Sequence, residues 1–322
     1  AVVFRTGAPH YGLPGTLATA CSLDGEAWSD PIEIAPRWDD LRNPAFGIDP
    51  AGRWILAYWK ASVHAYPPMA SGGERRWRLP GPELVRDQPD LFVITSDDHG
   101  RAWSAPRPYV SPRLGFVSPY GRIVAAPDGS LRMAAYGTPR GGAAGHFVAV
   151  VVRSDDGGHT WGDERVVAEH ASELALAWLA PDHLVGAVRT AAGATALVTS
   201  RDDGASWSPP AVITEPGEHP ADLCVLADGR LLLTFGRRRR PLGCGALISA
   251  DGGATWDRDR EVILAGDGIG NDVGYPSTVQ RDDGTLVTAL YFARGSAASE
   301  PAEGWGDVSC QALHYRVDLF DR

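Results

Sequence analysis

One turn recurs along this chain and limits what it can fold into. Ser96-Asp98-Gly100-Trp103, Ser154-Asp156-Gly158-Trp161, Ser200-Asp202-Gly204-Trp207 and Ser249-Asp251-Gly253-Trp256 all follow Ser-x-Asp-x-Gly-x-x-Trp, and Ser22-Asp24-Gly25-Trp28 is a copy one residue short. Successive serines are separated by 46 to 74 residues. The residue types describe a tight loop. An aspartate side chain accepts backbone N–H groups within its own turn, glycine supplies a positive φ, and tryptophan lays a large apolar plate on a sheet. Each full copy follows an apolar or alternating run, such as LFVIT before Ser96 and ALI before Ser249. The unit is therefore strand, turn, strand.

A second unit lies between the boxes: hairpins whose tips are mostly Asp-Gly or its relatives, over 47–59, 122–136, 174–189, 223–235 and 277–292. Hairpin plus boxed hairpin makes four antiparallel strands in roughly 45–60 residues, the size of one propeller blade. Four complete units cover 42–110, 119–166, 172–212 and 219–262. The hairpin at 275–292 continues into SCQALHYRVDLF at 309–320, and residues 1–35 supply further strands. The expectation is all-β: a single β-propeller domain over 1–322, six blades of four strands, with the N- and C-terminal strands sharing the closure. Five blades remains the alternative. Gly 38 and Pro 25 fit such a turn-rich chain better than a helical bundle, and a length of 322 residues suits a repeat fold with a distributed core.

Net charge is −10, which argues against a nucleic-acid or anionic-membrane partner, and no apolar run approaches the ~20 residues of a spanning helix. The opening AVVFRTGAPH lacks a leader's basic and apolar regions, so a signal peptide is expected to be absent or already removed. Cys21, Cys224, Cys244 and Cys310 form no CxxC pair, so neither a disulfide framework nor a cysteine zinc site is expected. No phosphate loop, dinucleotide fingerprint, HExxH or complete EF-hand loop occurs, and no cofactor or metal is inferred. Lys60 is the sole lysine among 30 basic residues. The arginines left over have planar forks suited to carboxylates.

The boxes are Asp boxes (BNR repeats), and the chain resembles the sialidase superfamily of six-bladed propellers. Boxes lie at blade edges and serve structure, so function has to come from the inner strands. Three stretches there resemble family motifs. Arg42-Asn43-Pro44-Ala45-Phe46 is similar to the Arg-Ile-Pro segment, with Asn in place of Ile. Glu173 heads a hairpin ending at Arg189, like the family's glutamate–arginine hairpin. Tyr275-Pro276-Ser277 opens a hairpin similar to the Tyr-Ser-x-Leu segment.

The resemblance implies a glycan substrate ending in sialic acid or a related 2-keto-3-deoxy sugar acid. The carboxylate on its anomeric carbon would repel an Asp or Glu nucleophile by roughly 4 kcal/mol at ~4 Å and an effective dielectric of 20, about a thousandfold in rate. A phenol avoids that repulsion when a carboxylate takes its proton. Tyr275 is thus the expected nucleophile and Glu173 its base. Arg42 and Arg189 are expected to hold the substrate carboxylate. The third arginine should come from Arg237-Arg238-Arg239-Arg240, with Arg240 favoured and Arg237 next. Arg5 is a rival for the first. The general acid is expected at Asp87, or Asp90, in the long stretch from Ala61 to Pro89, whose His64, Tyr66 and Trp77 could rim the substrate. Tyr120, Arg122, His219, Asp222 and Asp272 sit at other inner-strand ends, and His219, Asp222 and Tyr120 are counted as substrate contacts. The expected function is a sialidase-like, retaining exo-glycoside hydrolase, extracellular or periplasmic if anything. The alternatives are a lyase or other glycosidase acting on uronate- or rhamnose-containing glycans, with Tyr and His as acid and base, and a non-catalytic glycan-binding propeller.

Overall fold

The structure is a computed structural model and describes residues 1–7, 15–34, 40–61, 91–143, 145–271, 273–294 and 307–321. The turns close as their residues dictate. In the box at Ser249, the serine hydroxyl donates to Asp251 Oδ1 (2.7 Å) and accepts from Gly253 N (2.8 Å), while Asp251 Oδ1 also accepts from Thr255 N (2.9 Å). The boxes at Ser96, Ser154 and Ser200 repeat this pattern. Trp28, Trp161, Trp207 and Trp256 each donate to the carbonyl of the box glycine at 2.8 to 3.1 Å. Trp103 does not. Its indole nitrogen is buried without a hydrogen bond among the described residues.

The chain divides into two compact units. The first comprises Ala1–Cys21 and Ser29–Glu164, the second Ser22–Trp28 and Arg165–Arg322. The first unit opens with an antiparallel sheet of β1 (Val2–Thr6), β2 (Thr16–Ala20) and β3 (Ile32–Glu33). Eight further strands follow: β4 (Asp40–Ile48), β5 (Trp54–Ala61), β6 (Leu91–Ser96), β7 (Arg107–Tyr109), β8 (Leu114–Ala125), β9 (Leu131–Pro139), β10 (Val148–Ser154) and β11 (Gly162–Glu169). They form two antiparallel four-stranded halves joined by one parallel bridge, Phe46 to Arg122. Burial explains the join: Ala45, Ile55, Val93, Ile123, Met133 and Val150 share one core.

In the second unit β12 (Ala171–Ala180), β13 (His183–Thr190), β14 (Thr195–Ser200) and β15 (Ala211–Val212) form one meander. A second consists of β16 (Glu218–Val225), β17 (Leu231–Arg237), β18 (Gly243–Ser249) and β19 (Val262–Ala265). The third holds β20 (Gly274–Gln280), β21 (Thr285–Arg294) and β22 (Asp307–Arg316). The shortened box rests on this last sheet, with Gly25 against Val287 and His314. The first and last sheets thus have three strands among the described residues, against the four expected of every blade. Strand tracts buried on both faces, such as Val148–Val152, read as continuous apolar runs. Among the described residues no helix is long and apolar enough to cross a membrane.

Candidate active site

The first strand of each complete meander, and of the last sheet, breaks register near its start. In β12, Ser172 pairs with Arg189 and Leu174 with Val188, leaving Glu173 as an extra residue at φ 26°. In β20, Tyr275 (φ 51°) and Pro276 together oppose the single Leu290. In β16, His219 and Pro220 oppose Gly236. Proline suits such a position because it has no N–H to give the ladder, and a bulge re-aims the neighbouring side chain. A left-handed φ on a non-glycine residue costs on the order of 1–3 kcal/mol, and such residues gather at functional sites.

These bulges bring the reactive groups of the second unit together. The Tyr275 hydroxyl donates to Glu173 Oε1 at 2.5 Å, and Arg189 Nη1 donates to Glu173 Oε2 at 2.9 Å. Glu173 is only 3% exposed, and charge-assisted bonds of this kind offset the cost of burying its carboxylate. Tyr291 stacks on the Tyr275 ring at 5.4 Å. The guanidinium of Arg238 lies 5.7 Å from the centre of the same ring. Two glycines let β17 and β20 approach closely enough for this. A Cβ on Gly236 would lie 2.7 Å from His219 O and 2.8 Å from Val273 O, and one on Gly274 would lie 2.4 Å from Gly236 Cα.

The four arginines at 237–240, from which the third was expected, have different partners. Arg237 is spent on structure: its Nε donates to Glu261 Oε1 (2.8 Å) and its Nη1 to the carbonyls of Pro241 (2.9 Å) and Arg239 (3.3 Å). Arg239 is spent too, donating through Nε (2.7 Å) and Nη2 to Glu218 Oε1. Arg258 Nη2 reaches the other Glu218 oxygen at 2.9 Å. Glu218 is wholly buried, and its carboxylate also accepts from Glu215 N at 2.9 Å. Arg240, the favoured residue, is exposed. Buried Glu218 and half-buried Glu261 thus hold Arg239 and Arg237, and it is Arg238 that lies beside Tyr275.

His219 is 6% exposed. Burial first, then the charges of Arg189 and Arg238, pushes its pKa down to about 3, so it is neutral at ordinary pH. Asp222 is buried, and its Oδ2 accepts from Thr278 N at 2.7 Å. That bond ties β16 to β20.

In the first unit, Arg42 is buried with its guanidinium 5.3 Å from the Trp59 ring. Arg5 is held by Asp40, through Nε at 3.1 Å and Nη2 at 2.6 Å. Tyr120 is buried in β8, immediately before that strand's register break. Asp87, Asp90, Asp272, His64, Tyr66 and Trp77 lie outside the described residues.

An all-β chain with Asp-box turns and bulged leading strands defines a β-propeller of the BNR type. The chain belongs to the BNR repeat-like domain family of the sialidase superfamily, matching the family over residues 16–288. A sialidase of Bacteroides fragilis (strain YCH46) is 24% identical over 303 residues, covering 79% of this chain and 51% of that protein. The chain therefore spans about half the length of this curated relative. Among solved structures, a protein of unknown function from Dyadobacter fermentans superposes with a TM-score of 0.72 at 21% identity, covering 98% of this chain and 90% of that one. The Hadza microbial sialidase Hz136 gives 0.67 at 22% identity over 94% and 60%. The intramolecular trans-sialidase of Ruminococcus gnavus, in complex with oseltamivir carboxylate, gives 0.68 at 14% over 100% and 95%. These structures establish the fold.

Proposed function

We propose that this chain is a retaining exo-glycosidase that releases a terminal sialic acid, or a related 2-keto-3-deoxy sugar acid, with Tyr275 as nucleophile. The observation that carries this reading is the 2.5 Å bond from the Tyr275 hydroxyl to Glu173. The proton moves along that bond to Glu173 as the phenol oxygen attacks the anomeric carbon. The glycosidic C–O bond breaks, and the leaving oxygen takes a proton from a general acid, for which Asp87 is the candidate. Water then attacks the glycosyl-tyrosine, giving its proton back to that acid residue. The sugar–tyrosine bond breaks, and Glu173 returns the proton to Tyr275.

Arg189 and Arg238 supply the cationic grip for the substrate carboxylate, since both bear on the Glu173–Tyr275 pair. Arg42 keeps its carboxylate-binding role through the motif resemblance. His219 contributes a neutral wall between charges. With its pKa near 3 it is uncharged at neutral pH and a feeble base, which weighs against a lyase that relies on it as the base. The relatives named as sialidases support the same substrate class. Tyr275→Phe should abolish release of 4-methylumbelliferone from its sialoside while leaving the thermal melt unchanged. A variant that turned over at the wild-type rate would end the assignment.

A further inference from the structure

The first unit carries the same device that presents Glu173 and Tyr275. In β4, Arg42 pairs with Trp59 and Ala45 with Ala57, so Asn43 and Pro44 together oppose the single Tyr58. Asn43 adopts φ 47°, close to the 51° of Tyr275, and like Tyr275 and His219 it precedes a proline in the bulge. Asparagine tolerates this conformation better than most side chains, yet the position still stores strain.

The amide of Asn43 is fixed. Its Nδ2 donates to Ser118 Oγ at 2.9 Å and to Tyr136 Oη at 3.2 Å. Ser118 and Tyr136 face one another across β8 and β9, and both are buried. The orientation is not arbitrary, because the Ser118 hydroxyl gives its own proton to the Pro119 carbonyl at 3.3 Å and can only accept from Asn43. Both amide hydrogens are thereby used, and the carbonyl oxygen makes no hydrogen bond among the described residues. An asparagine has one acceptor and two donors. Here the protein takes the donors and leaves the acceptor, half-buried, one residue from Arg42.

We propose that Asn43 is a specificity-determining ligand contact, its Oδ1 accepting a hydrogen bond from a hydroxyl or acylamino N–H on the sugar acid whose anionic group Arg42 holds. This rests on the sugar-acid reading given above. A guanidinium alone recognises any carboxylate. A fixed acceptor beside it selects an acid that carries a donor on a neighbouring carbon, and rejects one that does not by leaving a polar group unpaired. Ser118 and Tyr136 act one step back, as positioning residues that stop the amide from rotating.

The test is the affinity of the wild-type protein, Asn43→Gly and Ser118→Ala for the sialic-acid analogue DANA and for its counterpart lacking the acetamido group, by titration calorimetry. Glycine accepts the left-handed φ, so the fold should survive, and a thermal melt within a few degrees of wild type checks it. The expected result is a roughly three- to tenfold loss of DANA affinity in Asn43→Gly, the effect of one hydrogen bond, and a smaller loss in Ser118→Ala. A loss shared by both ligands identifies a hydroxyl as the donor, and one confined to DANA identifies the N–H. Affinity of Asn43→Gly within twofold of wild type for both ligands overturns the proposal while leaving the sugar-acid reading intact. A wild-type protein that binds neither overturns both.

Discussion

Replacing Glu173 by Gln tests the pair at the centre of the site, and the structure sets the size of the effect. Glutamine offers one acceptor where glutamate offers two. Arg189 can only donate, so the Gln oxygen must face it and the Gln NH2 must face Tyr275. The phenol hydrogen then has no acceptor, and the proton has nowhere to go. Loss of a positioned base costs typically 10²- to 10⁴-fold, about 3–5 kcal/mol of barrier. The stability cost is smaller. Breaking a buried pair costs about 3–5 kcal/mol, but the Arg189 side chain is 31% exposed and stays partly hydrated, which brings the figure nearer to 1–2 kcal/mol. Hydrolysis of an aryl sialoside at 25 °C should therefore fall at least a hundredfold in kcat, with the melt lowered by only a few degrees. Activity within tenfold of wild type in a folded variant would refute the proton transfer.

Three further outcomes follow. Gly236→Ala should destabilise by about 2–4 kcal/mol, read by denaturant unfolding, because the added methyl meets backbone oxygens of His219 and Val273 that cannot step aside. His219 should make the protein weaker as pH falls from about 6.5 towards 3: the unfolded chain takes the proton first, while the buried ring refuses it until about 3. His219→Gln should flatten that decline in melts measured across the range. The box aspartates act lower. Asp251 is held down at about 2, chiefly by the Thr255 side chain, then Thr255 N and Ser249. Its contribution is complete above its ordinary value of 3.8 and disappears as pH falls through 2. Asp251→Asn should remove part of the acid-unfolding transition and lower the melt at neutral pH.

The boxes were legible in the sequence because everything they need lies within eight residues. Ser249, Asp251, Gly253 and Trp256 bond one another, so the spacing is the structure. Trp103 shows the limit: its box spacing is the same, yet its indole nitrogen makes no bond to Gly100, and nothing local foretells that. Glu173 and Arg189 were legible for a similar reason, lying at the two ends of one hairpin so that antiparallel pairing alone brings them together. The placement of Arg238 beside the Tyr275 ring was not. Which of four consecutive arginines faces Tyr275 is decided by Glu218 and Glu261, about twenty residues to either side, and no pattern within 237–240 records it. The bond from Thr278 N to Asp222 was not legible either, because it joins strands more than fifty residues apart. One signal was present and unused. Asn43-Pro44, His219-Pro220 and Tyr275-Pro276 mark three leading-strand bulges with the same X-Pro pair.

The most direct test of the account is covalent. Incubation with 2,3-difluorosialic acid, whose C2 fluoride leaves as the phenol oxygen attacks and whose C3 fluorine slows breakdown of the resulting glycosyl-enzyme, should add one sugar to the protein. Proteolysis and mass spectrometry should then place that sugar on Tyr275 and on no other residue, with Tyr275→Phe remaining unlabelled. Labelling of a carboxylate such as Glu173, or no labelling while the protein still cleaves sialosides, would contradict the phenol nucleophile.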